Sequence, residues 1–117
     1  MGNPVVHYEI RAQDPDKART FYGQLFGWQF PTGVEPGYTY VETGVPGGIP
    51  GGIGRAQSGN GHVTFFVGVD DVAAALARAA SLGATVVLPA TSVPGVTFGL
   101  FADPEGHVIG VSKNDRA

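Results

Sequence analysis

The strongest constraint on this chain is a unit that occurs twice. Around residues 5–11, Val6, Tyr8 and Ile10 alternate with His7, Glu9 and Arg11, the period of a half-buried strand. Asp14-Pro15 follows as an N-cap with proline at the first helical position. Ala18, Phe21, Tyr22, Leu25 and Phe26 then recur at helical spacing as one apolar stripe, and Gly27 is placed to end the helix in a left-handed conformation. The same order returns with the strand HVTFFVGV, the cap Asp71, the stripe Val72, Ala75, Leu76, Ala79 and Leu82, and the terminating Gly83. The caps lie 57 residues apart and the glycines 56, so the two copies agree to one residue over the whole unit.

Each copy continues in short strands separated by turn residues. They are expected over 28–30, 38–42 and 53–56 in the first copy, and over 84–88, 96–102 and 107–112 in the second. Residues 31–37 and 89–95 read as turn-rich connections, 113–117 as a polar tail, and Asp103-Pro104-Glu105-Gly106 as a type I turn. The polar stretch QSGNG at 57–61 is the internal boundary. The expected fold class is therefore α+β: two βαβββ modules, 4–58 and 60–113, within one domain spanning 1–117. They are expected to form a curved mixed sheet. One helix per module covers one sheet face and leaves the other as the wall of a concave cavity.

Composition narrows the function classes. With 117 residues, 43% of them apolar, the chain suits one globular domain. A net charge of −3 gives no basic footprint for nucleic acid. No apolar run is long enough to cross a membrane, and MGNPVV lacks the basic and apolar regions of a secretory leader. The absence of cysteine excludes thiolate metal sites and disulfides and is compatible with a cytoplasmic location. The loop GVPGGIPGG is not followed by a helix start or a lysine, so it reads as a mobile rim rather than a phosphate cradle.

At the level of motifs, HYEIRAQDPDKARTFYGQLFGW, VGVDDVAAALARAASLGATVVLP and FGLFADPEGHVIGV resemble the vicinal oxygen chelate superfamily. That superfamily includes glyoxalase I, bleomycin-resistance proteins and extradiol dioxygenases. The resemblance covers nearly the whole chain and implies the two-module fold. It also implies four metal-ligand positions, one on the first and one on the last strand of each module. On the first strands the ligand stands seven residues before the cap Asp, which gives His7 and Thr64 here. On the last strand of the second module it stands seven after the turn Asp, which gives Gly110. The fourth falls within 52–54, Gly-Ile-Gly, with no Glu or His available. Only His7 is an ordinary ligand, whereas a catalytic zinc or iron site takes three protein ligands. No cofactor is expected on this count. A divalent metal (Zn, Ni, Fe or Mn) would need a non-standard set of His7, Glu9 and His62.

Several residues carry two readings. His7 and Glu9 are the catalytic candidates; His7 also reads as a polar residue on a wet sheet face, and Glu9 as an ion-pair partner of Arg11. Tyr38, Tyr40, His62, Thr64, Phe66 and Gly110 are the ligand-binding candidates. Trp28, Phe98 and Phe101 join the two tyrosines and Phe66 as either pocket lining or core. Phe21, Tyr22 and Phe26 read as core, Val63, Phe65 and Val67 as packing on the helix, and His107 as structural. The resemblance implies a small-molecule binder with a degenerate metal site, sequestering or protecting against a toxic organic compound. Its alternative is a metal-dependent lyase, isomerase or dioxygenase of the glyoxalase type. A small organic molecule and a second copy in a homodimer are the expected partners.

Overall fold

The computed structural model describes residues 2–31 and 37–114. Residues 32–36 of the expected turn and 115–117 of the expected tail lie outside them. Two compact units are present: a first unit, His7–Val63, and a second, Met1–Val6 with Thr64–Ala117. Both are α+β with mixed strands, as the sequence repeat requires.

In the first unit, β1 (Val5–Ala12), which enters this unit at His7, leads into α1 (Pro15–Phe26). The Asp14 side chain accepts the Lys17 backbone N–H, and Gly27 closes the helix at φ 73°. β3 (Gly51–Arg55) then lies parallel to β1 and antiparallel to β2 (Thr39–Val41). β4 (His62–Gly68) starts in the first unit, with His62 and Val63, and from Thr64 onward belongs to the second, where it precedes α2 (Val72–Ser81), whose N-cap Asp71 accepts the Ala74 N–H. The hairpin strands β5 (Thr85–Val93), β6 (Val96–Ala102) and β7 (Val108–Asn114) follow, and β7 returns parallel to β4. The parallel pair β1/β3 thus has its counterpart in β4/β7, which is the repeat expressed as hydrogen bonds.

Several boundaries move for identifiable reasons. The strand expected over 28–30 is a single bridge, Gln29 to Glu42, with both N–H···O distances 2.8 Å. β3 starts two residues early, inside the Gly-rich stretch, because Gly51 and Gly52 let aromatic rings lie flat on the strand. β5 runs through Pro89, which is permitted at the sheet edge, with register shifts on either side of Leu88.

The two helices differ in what they bury. On α2, Val72 and Leu76 are buried with Val111 and pack against Val69, Ala75 and Phe101. Gly99 is pressed so close to Leu76 that an added Cβ would lie 2.6 Å from Leu76 Cδ1. Phe101 is therefore helix-side core, not pocket lining. On α1 the expected core stripe is not sealed: Phe21, Leu25 and Phe26 are each more than half exposed. Tyr22 instead stacks on Trp28, which tilts against Tyr8, so the aromatic packing of this unit runs through Trp28. Val63 and Phe65, expected under a helix, are also exposed.

Candidate functional site

Strand alternation decides which side chains lie on the side away from the helices. In the first unit Tyr8 and Ile53 point toward the helix side. His7, Glu9 and Arg11 share the other face of β1, where Glu9 stands beside Gly52 and Arg11 beside Gly54 of β3. Those two glycines are a requirement of packing. Tyr38, 7% exposed, lays its ring across β3, so a Cβ on Gly52 would overlap its phenol and one on Gly54 would lie 2.6 Å from its Cδ2. The last-strand region implied by the family resemblance therefore holds the Tyr38 ring.

A connected polar chain follows from this ring. The Tyr38 hydroxyl lies 2.8 Å from His7 Nε2, and the Arg11 guanidinium sits 5.0 Å above the Tyr38 centroid, a cation–π contact. Tyr40, at the exposed end, meets both His7 and Tyr38 edge-on. Arg11 also grips Glu9 twice: Nη2 donates to Oε1 at 3.2 Å and Nε lies 3.1 Å from Oε2. Glu9 is 8% exposed, so its charge is tolerated only through this pairing. His62, the first residue of β4, completes the chain with Nε2 at 3.5 Å from Glu9 Oε2. Burial lowers the His7 pKa below its ordinary 6.5, against the opposing pull of Glu9, so the ring is neutral near neutral pH.

In the second unit the corresponding face is apolar. Phe66 on β4 pairs in register with Gly110 on β7, and its ring covers the space a Gly110 Cβ would take. Phe98 meets Phe66 edge-on at 6.3 Å. Thr64 is buried and donates its hydroxyl to the Val108 carbonyl at 2.6 Å. His107 faces Asp103 through Nδ1 at 3.0 Å within its turn, the structural role read from its parity.

The donors do not fit a metal at the positions implied by the resemblance. His7 Nε2 faces a phenol, the Thr64 hydroxyl is committed to a carbonyl, and at Gly52 and Gly110 an aromatic ring stands where a carboxylate would be required. Among the described residues, no group of three His, Asp or Glu side chains is arranged to hold a metal ion.

His7, Glu9, Tyr38, Tyr40 and His62 are brought together within the first unit. Thr64, Phe66 and Gly110 lie within the second. Sequence reasoning paired Glu9 with Arg11 but missed Arg11 over Tyr38 and the role of Gly52 and Gly54. The signal for the latter was present, because glycine inside a strand marks close approach of another group.

The family model described as a glyoxalase-like domain matches residues 7–112. Among solved structures, one similar to this chain is a glyoxalase/bleomycin resistance/dioxygenase superfamily member from Vibrio splendidus 12B01, at 18% identity and TM-score 0.63, covering 97% of this chain and 99% of that one. A Streptomyces coelicolor methylmalonyl-CoA epimerase in complex with 2-nitronate-propionyl-CoA is similar at 18% identity and TM-score 0.63, covering 97% and 98%. A structure described as NAD-dependent benzaldehyde dehydrogenase from Legionella pneumophila is similar at 16% identity and TM-score 0.67, covering 93% and 98%. Likenesses at these identities concern the fold alone. No curated protein sequence gives a significant match.

Proposed function

The chain belongs to the glyoxalase-like domain family, and on that premise we propose that it binds a small organic molecule without a metal. The observation that carries this reading is the pair of glycines under aromatic rings: Gly52 beneath Tyr38 and Gly110 beneath Phe66. Each exchange puts a π-surface where the resemblance implies an ion ligand. Tyr40, partly exposed beside Tyr38 and His7, gives the first unit's aromatic set an accessible edge. Buried ionic groups are already matched, Glu9 with Arg11, so the site has little need of a charged ligand. In this reading His7, Glu9, Tyr38, Tyr40 and His62 are the ligand-contacting or orienting residues of the first unit, and Thr64, Phe66 and Gly110 are the binding candidates of the second, each unit taken by itself.

Sequestration of, or protection against, a toxic organic compound is the role this binding serves. The epimerase neighbour, solved with an acyl-CoA analogue, is a precedent for an organic ligand on this fold. The protein works in the cytoplasm, consistent with a chain in which no described helix is long and apolar enough to cross a membrane. It acts as a homodimer, which would cover the exposed Phe21, Leu25 and Phe26 of α1. Thermal-shift screening against metabolite and antibiotic-like libraries tests the binding. A stabilising hit that persists in the presence of a chelator is expected. Stoichiometric metal in protein purified without chelator, with binding or activity that depends on it, would overturn the reading. Light scattering tests the dimer.

A further inference from the structure

One feature of the first unit is used neither by the fold nor by the family resemblance. His62 Nε2 is buried and has no hydrogen-bond partner, although its ring is not a core residue, since about a third of the side chain (35%) is exposed. The buried atom is the one nearest Glu9 across this contact, 3.5 Å from Oε2. What remains open to solvent therefore lies on the rest of the side chain. Glu9 cannot swing away, because Arg11 holds both of its oxygens and Arg11 Nη1 is tied to the Arg55 carbonyl at 3.4 Å.

We propose that Glu9 and His62 are a carboxylate–imidazole dyad. Glu9 is its positioning residue, and His62 Nδ1 is the acceptor for a ligand's O–H or N–H. A neutral imidazole carries one proton, and a carboxylate facing Nε2 draws it there, leaving the Nδ1 lone pair as the acceptor. The 3.5 Å separation is that of an unliganded pair, which tightens when a ligand hydrogen-bonds the far nitrogen and makes the ring a better donor. Where the ligand's hydroxyl is acidic enough, the same geometry moves a proton. The O–H bond breaks, the proton goes to Nδ1, the ligand keeps the electron pair as its anion, and Glu9 stabilises the imidazolium formed.

The same contacts define the ligand class. The Glu9 charge is matched by Arg11, so a cationic ligand finds no spare carboxylate and an anionic one no spare guanidinium in this pair. The dyad suits an uncharged molecule with a hydrogen-bond donor. This assignment of ligand class rests on the small-molecule reading above; the dyad itself rests on the geometry of the first unit alone.

Nitrogen-15 NMR of the histidine rings tests both parts on the unmodified protein, and His62→Gln serves both to assign the resonances and to test the binding. At about pH 8, where free imidazole is neutral, His62 is expected to be wholly the Nε2–H tautomer. His107 is the internal contrast, since its Nδ1 faces Asp103. Phenol, added at millimolar concentration, is expected to shift the Nδ1 resonance of His62, and anisole, which lacks the donor, is not. His62→Gln should weaken phenol binding several-fold. A His62 in the Nδ1–H form or in a tautomer mixture overturns the dyad. An Nε2–H ring that neither phenol nor anisole perturbs, or that both perturb alike, overturns the acceptor role even if the library screen yields a ligand. A selective phenol shift beside an empty screen upholds the dyad and strikes the wider binding role.

Discussion

The two units repeat one topology and use it for opposite chemistry. On the face away from its helix, the first unit holds His7, Glu9, Arg11 and His62, a chain of charged and polar groups closed by the Tyr38 phenol. The same face of the second unit holds Phe66 and Phe98, and its buried polar side chain, Thr64, is spent on a strand carbonyl. Both nonetheless reach a common device, an aromatic ring seated on a strand glycine. The repeat thus conserves where a ring can lie flat on the last strand of the parallel pair. The neighbouring residues set whether the surroundings are ionic or apolar.

The largest test of this contrast is to break the polar chain. Arg11→Met leaves the buried Glu9 carboxylate without its guanidinium partner, and is expected to cost about 3–5 kcal/mol in urea unfolding. Thr64→Val in the second unit removes one hydroxyl bond from Val108 and should cost only about 1 kcal/mol. Equal costs would show that the first unit's charges are solvated and that the contrast is one of composition only.

Next are the glycines. Gly110→Ala drives a methyl into the Phe66 ring and should cost about 1–3 kcal/mol, the usual range for overpacking. Phe66→Leu on the same chain is expected to restore part of it. Gly52→Ala should cost more than Gly110→Ala, because Tyr38 must give up its bond to His7 as well as its packing. If Gly110→Ala is neutral, the ring does not depend on the glycine, and the device shared by the two units disappears.

A smaller effect separates the helices. Asp71→Ala removes the cap of α2, whose Val72 and Leu76 are core, and should cost about 1 kcal/mol in thermal or urea unfolding. Asp14→Ala removes the same kind of cap from α1, whose Phe21, Leu25 and Phe26 are exposed, and should cost less. The opposite order would mean that α1 is the better anchored helix.

The sequence makes the fold legible because the repeat is written in local chemistry. Asp14 and Asp71 cap their helices as read, Gly27 takes the left-handed conformation, and Asp103 organises its turn by accepting the Glu105 and His107 N–H groups. At the ligand positions that the resemblance implies, the sequence has Thr64 and Gly110 beside His7. What cannot be read is tertiary. Periodicity marks Phe21 and Phe26 as one face of a helix, but not whether anything covers that face. Alternation puts Glu9 and Arg11 on one side of β1, but the ring between Arg11 and β3 comes from Tyr38, over a Gly-rich stretch with no periodicity of its own. His62 stands on the face predicted for it, two residues from Thr64; its approach to Glu9 follows from packing within the first unit, beyond any spacing along the chain.

The last test uses pH, because the two units hold their titrating groups in different windows. Burial keeps His7 neutral and lowers its pKa below the 6.5 of an unfolded histidine. As pH falls through 6.5 the unfolded chain takes up a proton before the folded one does. The His7 contribution is therefore complete above 6.5 and is lost as pH falls through the lowered folded value. In the second unit, Asp103 is held below 3.8 chiefly by the backbone N–H of His107, with further hydrogen bonds and the His107 charge outweighing desolvation. Its contribution is present above 3.8 and is lost only at lower pH. Stability followed by urea unfolding from neutral to acid pH should accordingly fall in separate stages. His7→Gln should flatten the stage just below pH 6.5 and leave the more acid stage unchanged, while Asp103→Asn should do the reverse. If His7→Gln leaves the slope below 6.5 intact, the His7–Tyr38 contact is not the neutral, desolvated pair described here, and the polar chain of the first unit begins at Glu9.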